Sequence, residues 1–314
     1  MAALGDKVSA NILAQTAQVP SIPWSGDGIT SGLNSEGVIP QEIFNKACVF
    51  DVEQAAATAD KIGYPVMIKA SEGGGGKGIR MAKDAAELRT NFVQVQNEVP
   101  GSPVFMMQLC TQARHLEVQI VGDEYGNAVA LNGRDCSTQR RFQKIFEEGP
   151  PDIAPKDVFR QMELSAQRLT QSIGYIGAGT VEYLYNKASN KYFFLELNPR
   201  LQVEHPVTEG LTGINLPSVQ LQVAMGIPLS QMDQVQSTVL SSYCGEISHF
   251  LLIVLTRITH LPFIRCVSST AWIPRARRRS ISSRTSTRIQ RNTSLQRALR
   301  QRILTRYAGR LSIF

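Results

Sequence analysis

The sequence predicts an α+β fold, with antiparallel strands and helices interspersed rather than a helix after every strand. Three observations carry this. Runs such as Pro65–Ala70 and Val104–Leu109 are short and apolar, as buried strands are. The run His115–Val121 alternates Leu116, Val118 and Ile120 against His115, Glu117 and Gln119. Turns at Gly122–Asn127 and Asn186–Lys191 are too brief for a crossover helix, so the strands they join pair as hairpins.

The elements follow in order. Asp6 can cap a helix through Val8, Ile12 and Leu13, ended by Pro20 and the Pro23-Trp24-Ser25-Gly26 turn, and Gly28–Pro40 is loop-like. An Ala-rich helix near Val52–Ile62 stops at Gly63, before the strand at Pro65–Ala70. A glycine loop, a strand at Ile79–Ala82 and a helix around Asp84–Glu98 come next. After the turn at Gly122–Asn127 a strand resumes at Ala128–Leu131, and a long helix covers Lys156–Ile173. The pair Thr180–Tyr185 and Tyr192–Leu197 precedes a helix at Asn215–Met225, with Pro217 in its first turn.

The chain has 314 residues and is 43% apolar, enough for a core and one or two domains. Its formal charge of +7 is unevenly spread, at −6 over residues 1–237 and +13 beyond, where 14 arginines meet no lysine and one acid, Glu246. The basic character therefore belongs to the tail. Five scattered cysteines without a CxxC pair argue against a disulfide framework or zinc cluster and favour a reducing compartment. No secretory signal is visible, and the apolar stretch Phe250–Leu255 is far below the ~18 residues of a membrane span.

The most informative segment is Phe193-Phe194-Leu195-Glu196-Leu197-Asn198-Pro199-Arg200-Leu201-Gln202-Val203-Glu204-His205-Pro206, where polar groups run out of an apolar strand. Burying them beside a core costs on the order of several kcal/mol unless a ligand or metal satisfies them. If Tyr185 lies opposite Phe193, Glu182 faces Glu196, and two opposed carboxylates call for a hard cation such as Mg²⁺ or Mn²⁺. Asn198 shares that face; a register one residue off would instead expose one of the glutamates. The run Ser71-Glu72-Gly73-Gly74-Gly75-Gly76-Lys77-Gly78 can wrap phosphate oxygens with its amides or be a flexible linker, and Lys69 on an apolar strand upstream favours the anion. It is no Walker loop, because Gly78 follows Lys77 where Ser or Thr should stand. Asp135–Lys144 gathers basic and polar groups that read as a solvated face or as local partners of Glu147 and Glu148. Glu204, near Arg200 and Gln202, fits a general base beside a small anion, whereas His205 before Pro206 reads as structural.

Several of these segments, in this order, resemble the ATP-grasp core of biotin carboxylase: Gly63–Ser71, Arg114–Gln119, Arg134-Asp135-Cys136-Ser137 and Glu196–Pro206. Pro23–Gly26, Ser71–Gly78 and Val99-Pro100-Gly101-Ser102-Pro103 bring the likeness nearest to the eukaryotic multidomain acetyl-CoA carboxylases, over about residues 5–235. The resemblance implies carboxylation of biotin by bicarbonate at the expense of ATP, towards malonyl-CoA and fatty acids. It implies an ATP site at Lys7, Lys69, Gly73, Gly74, Gly75, Gly76, Leu109, His115, Gln139 and Leu184, and a metal site at Glu182, Glu196 and Asn198. Lys144, Arg200, Gln202, Val203 and Glu204 match the bicarbonate pocket, with Glu204 as the base whose action yields carboxyphosphate and with Lys144 and Arg200 also counted as catalytic. Biotin would arrive on a separate carrier domain, since no Ala-Met-Lys-Met motif occurs, and the intact family enzyme is expected to dimerise.

On this resemblance residues 1–62 open the carboxylase core, 63–133 form a small lobe with the glycine loop, 134–236 form a large lobe with the metal and bicarbonate sites, and 237–314 are a basic tail. The family's N-terminal nucleotide-fold subdomain and the later part of its domain are expected to be missing. Phe142 stands where the family usually has a histidine. A carboxylase module for pyruvate or another acyl-CoA is the alternative, and a non-catalytic nucleotide-binding fragment or an Arg-tailed binding protein is another. The compartment implied is cytosol or plastid, with no membrane span expected. The tail could serve as an RNA-binding arm, but it lacks interleaved aromatics, and a translated intron or shifted reading frame better explains its abrupt start at Ser237. Sequencing the transcript across the Ser237 codon is expected to reveal that break; one uninterrupted frame that rejoins no carboxylase sequence would count against it.

Overall fold

The computed structural model describes residues 5–73, 77–140 and 143–244 and the strand segments 250–255, 263–268 and 312–313, with side chains described as far as Thr238. Gly74, Gly75, Gly76, Phe142 and most of the Arg-rich tail lie outside the described residues.

Helix α1 (Lys7–Thr16) starts at Asp6, whose carboxylate accepts the Ser9 amide at 2.7 Å, and it buries Val8, Ile12 and Leu13. Helix α2 spans Gln41–Ala47. Helix α3 (Val52–Ile62) is capped by Asp51 and leaves at Gly63, whose φ of 87° is glycine territory. Strands β1 (Val66–Ala70), β2 (Ile79–Ala82) and β3 (Val104–Gln108) form a three-stranded antiparallel sheet in the order β2-β1-β3, and α4 (Ala85–Glu98) lies in sequence between β2 and β3. Val66, Ile68 and Ala70 of β1 pack against Ala55 and Ala59 of α3 and Leu88, Phe92 and Val95 of α4. Alternation therefore sends Met67 and Lys69 to the other face.

The larger sheet holds β4 (Ala113–Gly122), β5 (Ala128–Arg140), β6 (Gln143–Gly149), β7 (Gly177–Asn186) and β8 (Lys191–Asn198). Its order is β10-β9-β6-β5-β4-β7-β8, the outer two being Phe250–Leu255 (β9) and Phe263–Ser268 (β10). Leu116, Val118, Ile120, Val181, Tyr183, Phe194 and Leu197 cover one face together with Val8 and Ile12 of α1 and Met162, Ala166 and Leu169 of α5 (Lys156–Ser172). Each such aliphatic side chain removed from water contributes roughly 1.5–3 kcal/mol. Helices α6 (His205–Thr212), α7 (Leu216–Ala224) and α8 (Asp233–Cys244) follow β8 in sequence.

The expected α+β class is what is observed, with four departures in detail. Tyr185 lies opposite Tyr192, not Phe193, because the β7–β8 register shifts between Glu182 and Tyr183. That bulge accommodates one extra residue, Leu195, so Phe194 and Leu197 both reach the core although they are three apart. Glu196 is consequently turned to face Glu182, the pairing expected on a simpler register. Second, the segment from Asp135, read as a solvated face or as local partners of Glu147 and Glu148, continues β5 and β6: Asp135, Cys136, Ser137 and Gln139 are buried because they satisfy one another and the site rather than water, and Glu147 is buried beside them with neither oxygen hydrogen-bonded. Third, the 133/134 lobe boundary falls inside β5, and β4 pairs with both β5 and β7, so it belongs to the large sheet. Fourth, α2, α6 and α8 went unread: Pro206 and Gly210 disguise α6, a helix of only 8 residues, and α8 runs through Ser237, where the tail was expected to begin.

Gly133 on β5 leaves no room for a side chain: an added Cβ would lie 2.1 Å from the Glu117 carbonyl oxygen and 2.5 Å from the Phe159 ring. Gly133→Ala is expected to lower stability by about 1–3 kcal/mol, read from the urea midpoint at constant slope. An unchanged midpoint would contradict the packing described.

Candidate active site

Cross-strand pairing draws a line of charge over four strands. Glu196 on β8 faces Glu182 on β7, Glu182 faces Glu117 on β4, and Glu117 faces Arg134 on β5. All four project from the sheet face opposite the aliphatic core. Like charges placed directly opposite repel, so the row persists only through counter-charges.

Two cations supply most of them. Arg134 is fully buried, pairs through Nε with Glu117 Oε1, and donates to Gln119 Oε1 at 2.9 Å and Thr208 Oγ1 at 2.7 Å. Lys144 on β6 reaches Glu117 Oε2 at 2.6 Å, Glu204 Oε1 at 2.8 Å and Glu182 Oε1 at 3.0 Å. Burial disfavours the Lys144 ammonium, but Glu117 and the acids around it outweigh that and raise its pKa far above the usual lysine range. A lysine so placed stays charged at any working pH.

His115 on β4 approaches Glu182 Oε2 at 2.6 Å through Nε2 and Gln139 Nε2 at 2.9 Å through Nδ1. Burial works against the imidazolium, yet the charge and hydrogen bond of Glu182 leave its pKa raised. In the same way burial opposes ionisation of Glu182, and His115 and Lys144 overcome it to hold the carboxyl well below the ordinary range. Its neighbour goes the other way. Burial and the Glu182 charge raise Glu196, which has no cation within ion-pair distance among the described residues. Asn198 spans the two, with Nδ2 at 3.0 Å from Glu182 Oε1 and 3.4 Å from Glu196 Oε1. Two oxygens of opposed acids plus an amide on one face form a donor set suited to a hard cation.

Lys69 of the small sheet and Lys7 of α1 lie within electrostatic reach of this row. Lys69 sits over Met107 Sδ at 3.5 Å and 6.0 Å from the Phe105 ring centre, without a carboxylate in ion-pair range among the described residues. Burial pushes its pKa down to about 8, with Glu196 pulling the other way and Lys7 adding to the depression. Lys7 donates to the Ser71 carbonyl at 2.9 Å and also to that of Gly73, so α1 and the start of the glycine loop meet at its ammonium. Mutual electrostatic influence among Lys7, Lys69 and Glu196 puts them around one space.

Other expected residues are placed less tightly. Gln202 is buried and its amide lies 3.4 Å from Glu182 Oε1, while its own oxygen has no partner. Arg200 and Val203 are exposed on the segment between β8 and α6. The Leu109 amide is committed to the Pro65 carbonyl at 2.8 Å, and Leu184 pairs with His115 across β7 and β4. His205 bonds the Gln202 carbonyl at 2.7 Å through Nδ1, the structural part expected of it. Sequence reasoning assigned no part in the site to Glu117, Arg134, Gln119, Thr180 or Thr208, and read Glu147 only as a local partner of the Asp135–Lys144 cluster. Only the alternation that placed Glu117 and Gln119 opposite the core pointed to them, and a polar face ordinarily means solvent.

The family described as the carbamoyl-phosphate synthase L chain, ATP binding domain, matches residues 38–232. The chain belongs to this family. Every described candidate site residue but Lys7 falls within the matched span. Among this ATP-binding family's relatives, the chain is 56% identical over 236 residues to an acetyl-CoA carboxylase of Dictyostelium discoideum and 55% identical over 237 residues to acetyl-CoA carboxylase 1 of Arabidopsis thaliana. Each match takes in 75% of this chain and 10% of the relative, so the chain spans about a tenth of those proteins. Among solved structures, a Campylobacter jejuni biotin carboxylase in complex with β,γ-ATP aligns with a TM-score of 0.67 at 32% identity, over 80% of this chain and 50% of that one. The biotin carboxylase domain of Hydrogenobacter thermophilus 2-oxoglutarate carboxylase, with MgADP and bicarbonate, aligns at 0.66 and 31% identity over the same shares.

Lys69 gives this family's site a measurable signature. With its pKa at about 8 it is mostly neutral at pH 8.5, and a phosphate group seated against it favours the ammonium. ATP binding at pH 8.5 is therefore expected to take up protons, seen by calorimetry in two buffers of different ionisation enthalpy, and Lys69→Met should abolish that uptake. Without ligand the sign is separate: the folded state binds fewer protons than the unfolded one between about 8 and 10.5, so this lysine makes stability rise with pH through that window. Equal proton uptake by parent and variant would exclude Lys69 from the nucleotide.

Proposed function

We propose that this chain performs the ATP-dependent half of the biotin carboxylase reaction, as part of an acetyl-CoA carboxylase. The observation that carries the reading is Lys144, whose ammonium joins Glu204, the expected base, to Glu182 of the acid pair. Relatives at 54–56% identity are acetyl-CoA carboxylases, whereas the aligned pyruvate carboxylase of Rhizobium etli is 34% identical, which favours acetyl-CoA over pyruvate as the acceptor downstream.

The residues divide the work as follows. Glu182, Glu196 and Asn198 would hold Mg²⁺ or Mn²⁺, and their donor set fits because the raised Glu196 carboxyl has no counter-ion in ion-pair range among the described residues. When bound, the metal supplies positive charge against the triphosphate. Lys69 and Lys7 would face the phosphates, with Gly73, whose carbonyl Lys7 holds, beside them. Lys144 holds Glu204 by a 2.8 Å bond and offers charge to a bicarbonate beside it, with Arg200, Gln202 and the Val203 backbone at the rim. Glu204 takes the bicarbonate proton, and the freed oxygen bonds to the γ-phosphorus as its bond to the ADP oxygen breaks. The products are carboxyphosphate and ADP.

A biotinylated carrier domain would receive the carboxyl group, and malonyl-CoA synthesis for fatty acids would follow in the whole protein. The described thiols, Cys48, Cys110 and Cys136, are free, in keeping with cytosol or plastid stroma. No described helix is long and apolar enough to cross a membrane.

Bicarbonate-dependent ATP hydrolysis with free biotin tests the reading. Glu204→Gln keeps an oxygen for Lys144 but cannot take a proton, and is expected to lower the rate by about 10²–10⁴-fold with ATP binding retained. Lys144→Ala should do the same and weaken the bicarbonate response. Identical background rates in all three proteins would sink catalysis by this chain. ATP binding that survives alone would point to a non-catalytic nucleotide-binding protein.

A further inference from the structure

The run Arg134-Asp135-Cys136-Ser137 contributes Arg134 to the acid row, but Asp135 and Ser137 have no part in the chemistry above. Strand β5 is broken here. Its pairing with β4 ends where Asp135 stands opposite Leu116, and its register against β6 shifts between Asp135 and Thr138 and again before Gln139. Arg134 and Gln139 are five residues apart, which an unbroken period of two would send to opposite faces, yet Arg134 meets Glu117 and Gln139 meets the His115 ring at 2.9 Å. The break is what brings both to the acid row. Side chains take the place of the missing ladder: Ser137 Oγ accepts the His115 amide at 2.9 Å, Asp135 Oδ1 accepts the Ser137 amide at 3.0 Å and its hydroxyl at 2.5 Å, and Arg114 donates to Asp135 Oδ2 at 2.7 Å. Gln139 closes the turn by donating Nε2 to the Cys136 carbonyl at 3.0 Å.

Asp135 and Ser137 are buried, so water does not replace these bonds, and a buried amide left without its acceptor costs more than an ordinary hydrogen bond contributes. His115 is therefore gripped twice by one stretch of β5. Ser137 holds its amide and Gln139 its Nδ1, while Nε2 meets Glu182 Oε2 at 2.6 Å. A side chain held in this way loses little freedom when a ligand arrives, which favours affinity. We propose that Asp135, Ser137 and Arg114 are positioning residues, a clip that fixes the break in β5 and thereby aims His115 and Gln139 at a nucleotide beside Glu182. They touch no reacting atom. The clip's target, a nucleotide, rests on the ATP-binding reading above.

The test uses the full chain with MgATP. Ser137→Ala removes a single oxygen and is expected to raise the Kd for MgATP by about tenfold in calorimetry, the scale of one lost hydrogen bond. Arg114→Ala should do likewise, whereas Arg114→Lys, which keeps a donor for Asp135, should stay close to the parent. Without nucleotide, the His115 ring signal in protein carrying isotope-labelled histidine, identified by its absence in His115→Asn, should shift in Ser137→Ala. All readings are taken well below each variant's thermal midpoint, so that a loss of stability alone moves none of them. An unchanged Kd or an unmoved ring signal in Ser137→Ala would overturn the clip, as would an Arg114→Lys protein that binds as poorly as Ser137→Ala. Should Arg114→Ala fail to fold, Ser137→Ala and Arg114→Lys decide between the same outcomes. A parent chain that binds no MgATP would overturn the ATP-binding reading instead, and the ring signal, which needs no nucleotide, then tests the clip by itself.

Discussion

The structure depends on keeping a row of buried acid beside a small number of cations. Lys144 touches Glu117, Glu182 and Glu204, and Arg134 takes the remaining oxygen of Glu117. A surface pair of this kind contributes little, and a buried one breaks even only when its hydrogen bonds are complete. Here they nearly are: Glu117 has a cation on each oxygen, and Glu182 has His115 on one and Lys144 with Asn198 on the other. Two acids remain without a cation in ion-pair range among the described residues, and they differ in what can relieve them. Glu147 is fully buried behind the row with neither oxygen hydrogen-bonded, and burial together with Glu117 pushes its carboxyl well above the ordinary range, so it carries a proton. Glu196 is only partly buried at the front, where a cation from solvent can reach it.

This balance explains why β8 carries a bulge. An uninterrupted period of two from Phe194 would have driven Glu196 into the apolar core beside Val181 and Tyr183. The extra residue at Leu195 reverses the alternation once, after Phe194 is buried and before the acid is reached. The apolar core and the charged row are thus two faces of the same strands, and the bulge lets one sequence serve both.

How much of this was legible follows from what each signal reports. Strands and helices whose apolar residues face one core, such as α1, α3, β1, β4 and β7, announce themselves by period, and their bounds agree with the sequence to within a few residues. The Glu182–Glu196 pairing could be anticipated, although the register inferred around it was one residue out near the turn, because a bulge leaves no mark in an apolar run. The Glu117–Arg134 pair and the buried length of β5 and β6 were not legible, since polar residues that satisfy one another look like residues that satisfy water. For α6 the obstacle was local: proline, glycine and two threonines weaken propensity, while burial of Val207 and the Thr208 bond to Arg134 hold the helix.

Lys69 stands as the counterpart of Glu196. Each is held away from its ordinary titration range, mainly by burial, and neither has an opposite charge in ion-pair range among the described residues, although each feels the other. Direct pairing would relieve both at once, but the lysine rests on Met107 and Phe105 of the small sheet while the acid lies on the large one. A ligand that brings an anion to the lysine and a cation to the acid relieves both together, and a metal-bound triphosphate is such a ligand. The unfavourable charge states are then a form of preorganisation, in which binding recovers free energy that folding left unrecovered. On this view the fold tolerates both groups because Glu196 is held on a paired strand of the large sheet and Lys69 on a paired strand of the small one.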